Sequence, residues 1–342
     1  MSNHPITASQ SAWNASLSAL GGHLLQSWEW GDFKGRHGWK PSRIANADGS
    51  GMAQVLFRHR GPVSVAYIPR GPALERGGSG SVELMDSVDA ICKEHRSLYT
   101  LVEPNEHVPW ADRVESDKRW RAGPDHIQPG RTVKIELADD DVMLKQMHQK
   151  TRYSVRLAMR KGVAVETFEG LDEPAYQIFY RLLSETSNRN EFGIHHEDYY
   201  RDFLHAFGTN ALMLIARVDG EPAAGLIGAA FGEEAIYMYG GSSVENRAHG
   251  AAFLLQFEAM RWARDKGMKR YDLWGIPMRD PELQAEKDAQ VPATRGDDWR
   301  GLHRFKTGFG GNIVEYPGAL ERVYWPLATK LAKRVNRGGV QN

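Results

Sequence analysis

Residues 235–275 read AIYMYGGSSVENRAHGAAFLLQFEAMRWARDKGMKRYDLWG, and they predict the centre of the fold. The apolar and aromatic start is typical of a buried strand, which Gly240-Gly241-Ser242-Ser243 is expected to break, freeing backbone N–H groups. Apolar residues then recur at helical spacing as far as Lys266-Gly267, where a cation and a glycine end the helix. Residues 270–274 follow as a second strand. Such a unit can hold an anion at the N-terminus of its helix.

The turn before that helix contains Arg247-Ala248-His249-Gly250-Ala251-Ala252, which fits the pattern Arg-x-x-Gly-x-Ala. GNAT acyltransferases use such a turn to hold the pyrophosphate of acetyl-CoA, and the flanking strand and helix favour this interpretation. The same residues also fit an ordinary helix start, in which small side chains allow close packing. Both interpretations stay open on the sequence.

The composition excludes several classes of protein. A chain of 342 residues exceeds one ordinary core, so two domains are expected. Lys plus Arg and Asp plus Glu both number 43, which gives no global signal for nucleic-acid binding. The single cysteine, Cys92, excludes an intramolecular disulfide and is expected to be a buried thiol. The 13 histidines show no recurring ligand spacing, so no metal is predicted. No cofactor is predicted either.

The two halves of the chain repeat one order of elements, which is a helix, a hairpin, a strand, a helix and a strand. Asp48-Gly49 turns the first hairpin and Asp219-Gly220 turns the second. Because residue identity between the halves is poor, the repeat is interpreted as a structural duplication. The first copy carries Gly77-Gly78-Ser79-Gly80 in place of the Arg-x-x-Gly-x-Ala turn, so it is not expected to bind the same cofactor.

Five short motifs follow one another between about residues 26 and 326. They are Gln26-Ser27-Trp28-Glu29-Trp30-Gly31, Ile68-Pro69-Arg70-Gly71-Pro72, Lys150-Thr151-Arg152-Tyr153-Ser154-Val155-Arg156, Tyr239-Gly240-Gly241-Ser242-Ser243 and Leu302-His303-Arg304-Phe305-Lys306-Thr307-Gly308-Phe309-Gly310-Gly311. Together they resemble the Fem family of peptidoglycan-bridge aminoacyltransferases. The resemblance implies an α/β chain of two GNAT-like acyltransferase domains, each a mixed sheet flanked by helices. The first domain is expected in residues 1–140 with a C-terminal helix in 317–342, and the second in 141–316.

The resemblance also implies transfer of an amino acid from aminoacyl-tRNA to an amine of a peptidoglycan precursor. That reaction needs a neutral amine, stabilisation of an oxyanion and a route for the proton. By resemblance the catalytic position is Phe305-Lys306, with Lys306 as a cation for the oxyanion or the tRNA 3′ end. A surface lysine in a loop is the alternative. Glu103 and Asp272 end strands, where each is either a general base or a cap for a loop.

For the precursor, the resemblance points to Lys34, Arg70, Arg189 and Tyr239. The lysine and the two arginines suit diphosphate and carboxylate groups. Trp28 is added as a stacking side chain, although aromatic residues at alternate positions also fit a core. The precursor is a muramyl pentapeptide linked either to UDP or to lipid, and both remain open.

The donor tRNA needs a cationic surface. Arg152, Arg156 and Arg160 recur at intervals of four and share one helix face, which suits phosphate contacts. A solvated helix face is the alternative. No sustained heptads occur between residues 186 and 300, so the chain resembles the compact type without a coiled-coil arm.

Two other functions stay open, which are a CoA-dependent GNAT N-acyltransferase and a non-catalytic binder of cell-wall precursors. The basic C-terminal helix is expected to pack on the first domain, with peripheral association with the membrane as the alternative. No apolar run is long enough to span a bilayer, and the N-terminus lacks a signal-peptide pattern, so a cytoplasmic location is expected.

Overall fold

A computed structural model describes residues 9–75, 80–105, 119–123, 127–190, 193–245, 249–279 and 300–335. The chain divides into two compact units. The first unit consists of Met1–Gly130 and Glu315–Asn342, and the second of Arg131–Val314. None of the described helices has the length and apolar character needed to cross a membrane.

The first unit contains a mixed sheet. Its strands are β1 (Lys40–Ala45), β2 (Gly51–Arg60), β3 (Val63–Pro69), β4 (Ala73–Leu74), β5 (Ser97–Glu103), β6 (Arg121–Ala122) and β14 (Leu320–Val323). They lie in the order β1-β2-β3-β5-β14-β6, with β4 beside β2. The helices are α1 (Gln10–Ala19), α2 (Trp28–Arg36), α3 (Ser81–Glu94) and α10 (Pro326–Val335). Leu84, Val88 and Cys92 recur every four residues in α3 and are buried in the core, as expected for Cys92.

The second unit contains another mixed sheet. Its strands are β7 (Arg131–Glu136), β8 (Ala164–Glu169), β9 (Ala211–Val218), β10 (Glu221–Phe231), β11 (Glu234–Ser242), β12 (Arg270–Asp272) and β13 (Asn312–Glu315), in the order β13-β7-β12-β11-β10-β9-β8. Its helices are α4 (Asp140–Gln146), α5 (Gln149–Arg160), α6 (Glu173–Asn190), α7 (Glu197–Phe207), α8 (Ala251–Asp265) and α9 (Arg300–Thr307). The core holds buried residues of the sheet and of α4, α5 and α8.

The same arrangement of four strands occurs in both units. In the first, the antiparallel strands β1, β2 and β3 are followed by α3 and by β5, which pairs with β3 in parallel. In the second, β9, β10 and β11 are followed by α8 and by β12, which pairs with β11 in parallel. The predicted fold class, two mixed sheets flanked by helices in a duplicated arrangement, is therefore confirmed.

The strand at the centre of the second sheet does not break at its glycines, so that prediction is wrong. β11 runs on to Ser242, and Gly241 pairs with Gly225 of β10. A Cβ atom at Gly241 would lie 2.5 Å from the Leu182 carbonyl oxygen of α6. The glycine has no side chain, and this lets the helix backbone approach the strand closely. The hydrogen bonds between the strands continue through it.

The boundaries of the units differ by up to ten residues from those expected on the sequence. The sequence places residues 131–140 in the first domain, but β7 lies within the second sheet, where Ile135 pairs with Tyr271. The C-terminal part of the chain supplies β14 and α10 to the first unit, and Thr329 of α10 donates to the Leu98 carbonyl oxygen. Residues 336–342 of the expected C-terminal helix lie outside the described part of the chain.

Candidate active site

A β-bulge in β11 separates two tyrosines that sequence spacing would place on one face. Residues two apart in a strand normally share a face of the sheet. Ile227 pairs with Tyr239 and Gly228 with Tyr237, so Met238 is the extra residue of a bulge. The Tyr237 ring consequently packs against the core that includes α8, whereas the Tyr239 ring packs against α7.

Lys306 is a buried lysine near the end of α9, with 5% of its surface exposed. Its Nζ donates a hydrogen bond to the Gly275 carbonyl oxygen at 2.8 Å and lies 5.4 Å from the centroid of the Tyr237 ring. Burial lowers the pKa of Lys306 to about 7, and the charge of Asp272 opposes that fall. Lys306 is therefore a buried lysine of a helix, which excludes the alternative interpretation as a surface lysine in a loop.

A tight turn after β12 presents the carbonyl group that holds Lys306. The buried Asp272 accepts a hydrogen bond from the Trp274 backbone N–H at 2.6 Å and another from the Thr132 hydroxyl. Trp274 has a φ of +58°, in the left-handed region that large side chains rarely adopt. Asp272 therefore caps the turn that directs the Gly275 carbonyl at Lys306. Of the two interpretations of Asp272 on the sequence, a general base or a loop cap, the structure shows the cap.

A further ion pair lies beside this turn. Lys134 Nζ is 2.9 Å from the Glu234 carboxylate and 3.9 Å from the Asp272 carboxylate. The side chains of Lys134 and Asp272 are buried, and that of Glu234 is nearly so. Opposite charges therefore lie close to one another in this buried cluster, which limits the cost of removing them from water.

The neighbours of Lys306 in α9 have different environments. Phe305, predicted at the catalytic position, packs with Phe253 and Phe309 at ring-centroid distances of 4.9 and 5.4 Å. His303 lies one turn before Lys306 with 8% of its surface exposed, and its buried Nε2 has no hydrogen-bond partner in the described structure. Sequence reasoning missed His303, because a spacing of three residues is informative only where the segment is known to be helical.

Arg189 and Tyr239 both lie at the C-terminal half of β11. Arg189 of α6 donates to the Ser242 carbonyl oxygen at 3.1 Å. The Tyr239 ring meets the Tyr200 ring edge-on at 4.8 Å, and burial raises the pKa of Tyr239 well above its ordinary value. The structure thus brings these two predicted residues to one end of the strand, whereas Lys306 contacts its opposite face.

In the first unit, Lys34 lies in an aromatic and cationic environment. Its Nζ is 5.8 Å from the ring centroids of Trp30 and Phe33. Burial, and after it the charge of Arg58, lower the pKa of Lys34 to about 8. The indole nitrogens of Trp30 and Trp39 are buried without a hydrogen-bond partner in the described structure. Unpaired N–H donors beside cations favour an anionic ligand.

The side chains of Arg70 and Trp28 both pack against other side chains of the first unit. Arg70 is 1% exposed, its guanidinium lies 3.4 Å from the centroid of the Tyr316 ring, and it donates to the Pro129 carbonyl oxygen. Trp28 is half-buried, with the Arg43 guanidinium 3.5 Å from its ring centroid. Arg70 therefore packs in the interior of its unit, and one face of Trp28 is already covered.

The three arginines of α5 do not share one environment. Arg152 donates to three backbone carbonyl oxygens within residues 144–147, at 3.1–3.3 Å, and so caps the end of α4. Arg156 and Arg160 are exposed to solvent. The predicted ridge of three arginines is therefore a pair, since the first guanidinium is occupied by the backbone.

The turn before α8 shows close packing. Gly250 has a φ of +73°, and a Cβ atom there would lie 2.6 Å from the Ser154 carbonyl oxygen of α5. Arg247 and Ala248, the first residues of the Arg-x-x-Gly-x-Ala pattern, lie outside the described residues. Within the described ranges, no group of three or more His, Cys, Asp or Glu side chains could hold a metal ion.

Comparison with known sequences gives a family. The sequence model of the FemAB family matches residues 120–221 and 219–337. The lipid II:glycine glycyltransferase of Staphylococcus aureus is 29% identical over 214 residues, which cover 57% of this chain and 50% of that protein. The chain thus spans about half the length of the curated relatives it matches.

Comparison with solved structures gives the fold. The crystal structure of FemX matches with a TM-score of 0.82 at 20% identity, covering 95% of this chain and 98% of that one. A tandem GNAT protein from the clavulanic acid biosynthesis pathway matches with a TM-score of 0.53 at 11% identity, covering 93% and 96%. The C-terminal domain of a putative lysylphosphatidylglycerol synthetase from Agrobacterium fabrum matches with a TM-score of 0.58 at 15% identity, covering 98% and 100%. The two sheets are therefore GNAT-like, as predicted.

Proposed function

The chain belongs to the FemAB family, and from that premise we propose that it transfers an amino acid from aminoacyl-tRNA to an amine of a peptidoglycan precursor. The observation that carries the proposal is the buried Lys306, which is held by the Gly275 carbonyl and has a pKa of about 7. The Staphylococcus aureus relative is a lipid II:glycine glycyltransferase, which supports the same class of reaction here. Because charged tRNA is a cytoplasmic molecule, the reaction is proposed to occur in the cytoplasm.

The proposed chemistry is attack of an amine on an ester. The amine nitrogen forms a bond to the ester carbon, the bond to the ribose oxygen breaks, and that oxygen takes up the proton that the amine loses. Negative charge develops on the carbonyl oxygen in the transition state. Lys306 in its ammonium form stabilises this oxygen, and its buried setting strengthens the attraction because few waters screen it.

For the acceptor we propose a muramyl pentapeptide, linked to UDP or to lipid. Lys34 supplies a cation beside the Trp30 ring and Arg58 one beside the Trp39 ring, and the buried indole N–H groups of both rings suit phosphate or carboxylate oxygens. Arg189 and Tyr239 remain the candidates for acceptor contacts in the second unit. Arg70 is left out of this proposal because it is buried against Tyr316.

For the donor we propose phosphate contacts with the exposed part of α5. Arg156 and Arg160 lie one turn apart on that helix and are exposed. Such contacts position a nucleic acid without reading its sequence. Arg152 is assigned to the cap of α4 instead, because its guanidinium already binds backbone carbonyl groups.

A lipid-linked acceptor would bring the protein to a membrane surface, and we include peripheral association in the proposal. Trp325 and Leu327 are 57% and 83% exposed at the start of α10, and Lys330 is exposed one turn later. An exposed tryptophan and leucine beside a cation suit the interface of an anionic bilayer. Co-sedimentation with phosphatidylglycerol vesicles should fall in the variant Trp325→Ser/Leu327→Ser, and equal sedimentation of both proteins would remove this part.

A reconstituted transfer assay tests the proposed function. Purified protein is incubated with the full set of charged tRNAs and with either the UDP-linked or the lipid-linked precursor, and the mass of the peptide is measured. We expect a mass gain of one amino acid residue that disappears after ribonuclease treatment. A parallel reaction contains acetyl-CoA in place of tRNA. Acetylation without any tRNA-dependent transfer would replace the proposal by a CoA-dependent acyltransferase, and binding without either product would indicate a precursor-binding protein.

A further inference from the structure

We propose that Asp272 is a positioning residue for Lys306. Asp272 fixes the turn of residues 272–275 and places a negative charge near the lysine ammonium. The inference rests on the proposed function, because it names the residue that prepares Lys306 for transfer. Asp272 does not contact the reacting atoms. It acts through the Gly275 carbonyl and through its charge.

The backbone of Asp272 is fixed from both sides. It pairs in parallel with Ile236 of β11 and antiparallel with Lys134 of β7, so it belongs to the middle of the second sheet. Its side chain is fully buried and receives the Trp274 backbone N–H at 2.6 Å and the Thr132 hydroxyl. These two hydrogen bonds orient the carboxylate, which caps the turn.

The turn itself is in an unfavourable conformation. Trp274 has a φ of +58°, which a bulky residue adopts only where its surroundings enforce it. The hydrogen bond from its N–H to Asp272 is such a constraint. The conformation directs the next carbonyl group, that of Gly275, at the Lys306 ammonium at 2.8 Å. Strain of this kind is typical of functional sites, where it orients a group before the substrate arrives.

The charge of Asp272 matters because Lys306 is buried. Among the described residues, the ionisable groups near Lys306 or Asp272 include Lys134 of β7, Glu234 and Tyr237 of β11, Tyr271 of β12 and His303 of α9. Asp272 raises the pKa of Lys306, against the larger effect of burial. Lys134 lies closer to Glu234, at 2.9 Å, than to Asp272, at 3.9 Å.

Two variants separate the charge from the turn. Asp272→Asn keeps an oxygen that accepts the Trp274 N–H but removes the charge, and it is expected to move the high-pH limb of turnover down by roughly one pH unit. Turnover above pH 8 should then fall about tenfold, with little change below pH 6. Asp272→Ala also removes the cap and should lower turnover further at every pH. Asp265→Asn, the same change at an exposed site paired with Arg264, is the control and should leave the profile unchanged.

A second measurement does not depend on activity. The difference in stability between a protein and its Lys306→Met derivative changes with pH as Lys306 titrates. We expect this change to begin roughly one pH unit lower in the Asp272→Asn background than in the wild type. The four proteins form a double-mutant cycle between the two residues. This readout also decides the inference if Asp272→Ala does not fold.

The outcomes distinguish the inference from the proposed function. If the wild type shows no tRNA-dependent transfer, the proposed function fails, but the stability cycle still tests the coupling of Asp272 to Lys306. If both backgrounds titrate at the same pH, the charge effect is wrong even where transfer is established. Equal turnover of Asp272→Asn and Asp272→Ala would show that the cap does not position the lysine.

Discussion

Replacement of Lys306 by methionine should make the folded protein more stable near neutral pH, although transfer becomes much slower. The lysine Nζ is buried, with one carbonyl hydrogen bond and an aromatic ring nearby. Methionine has a similar length and no charge, so it fills the same space without the cost of burying an ionisable group. A residue that destabilises the fold is retained where the reaction needs it.

The magnitude follows from the pKa of the lysine. Its ordinary value is 10.5 and burial lowers it to about 7. Each pKa unit corresponds to about 1.4 kcal/mol, so burying the Lys306 ammonium group on folding costs about 5 kcal/mol below pH 7. Between pH 7 and 10.5 the unfolded chain binds a proton that the folded chain does not. The free energy of unfolding of the wild type therefore rises with pH across this window, by up to about 1.4 kcal/mol per pH unit.

Urea denaturation at several pH values from 6.5 to 9.5 measures this effect. The stability advantage of Lys306→Met should be largest at the low-pH end of the series and should shrink by about 3 kcal/mol between pH 7 and pH 9.5. Lys161→Met, at an exposed position after α5, is the control and should show no such change. If the free energies of unfolding of Lys306→Met and the wild type differ by the same amount at every pH, Lys306 does not titrate as a buried lysine.

Three other predictions concern packing, donor and acceptor. Gly241→Ala should destabilise the fold by about 1–3 kcal/mol, because its Cβ would meet an α6 carbonyl oxygen at 2.5 Å, whereas Gly193→Ala, with open space around it, should change stability little. Replacing Arg156 and Arg160 by glutamine should weaken tRNA binding and make the slope of log affinity against log salt shallower by about one for each arginine that binds a phosphate, with precursor affinity unchanged as the control. Lys34→Gln should weaken precursor binding measured by calorimetry without changing tRNA affinity, and an unchanged precursor affinity would remove Lys34 from the acceptor site.

The duplicated fold could be predicted because its signals are local. The Asp-Gly turns define two hairpins, and a strand, a helix and a strand follow each of them. The parallel pairings of β3 with β5 and of β11 with β12 follow from a helical connection between consecutive strands. The place of β7 in the second sheet could not be predicted, because it depends on pairing with residues far along the chain.

The geometry of the site could not be predicted to the same extent. The bulge at Met238 puts Tyr237 and Tyr239 on opposite faces, although a period of two places them together. Gly240 and Gly241 predict a break in the strand, because a glycine pair signals a turn unless a helix packs closely on it. In both cases tertiary packing decides the outcome, and a local pattern does not report it.

Charged side chains were the least predictable part. Arg70 and Arg152 are residues of a type that often binds ligands, yet one packs on an aromatic ring and the other caps a helix. Arginine binds ligands, packs on aromatic rings and caps helices with the same planar guanidinium. The residue type alone therefore does not discriminate between these three roles. The motif around Lys306 draws attention to this lysine, but its burial and its contact with Gly275 come from the fold alone.

The central claim is that Lys306 acts in the aminoacyl-transfer step, and single-turnover kinetics test it most directly. Enzyme saturated with charged tRNA and precursor is followed by rapid quench, for the wild type and for Lys306→Met. We predict that the single-turnover rate falls by about 10²–10³-fold, because the variant lacks a charge that stabilises the transition state, while the dissociation constant of the precursor stays within about twofold. A Lys306→Met rate equal to that of the wild type would contradict the claim.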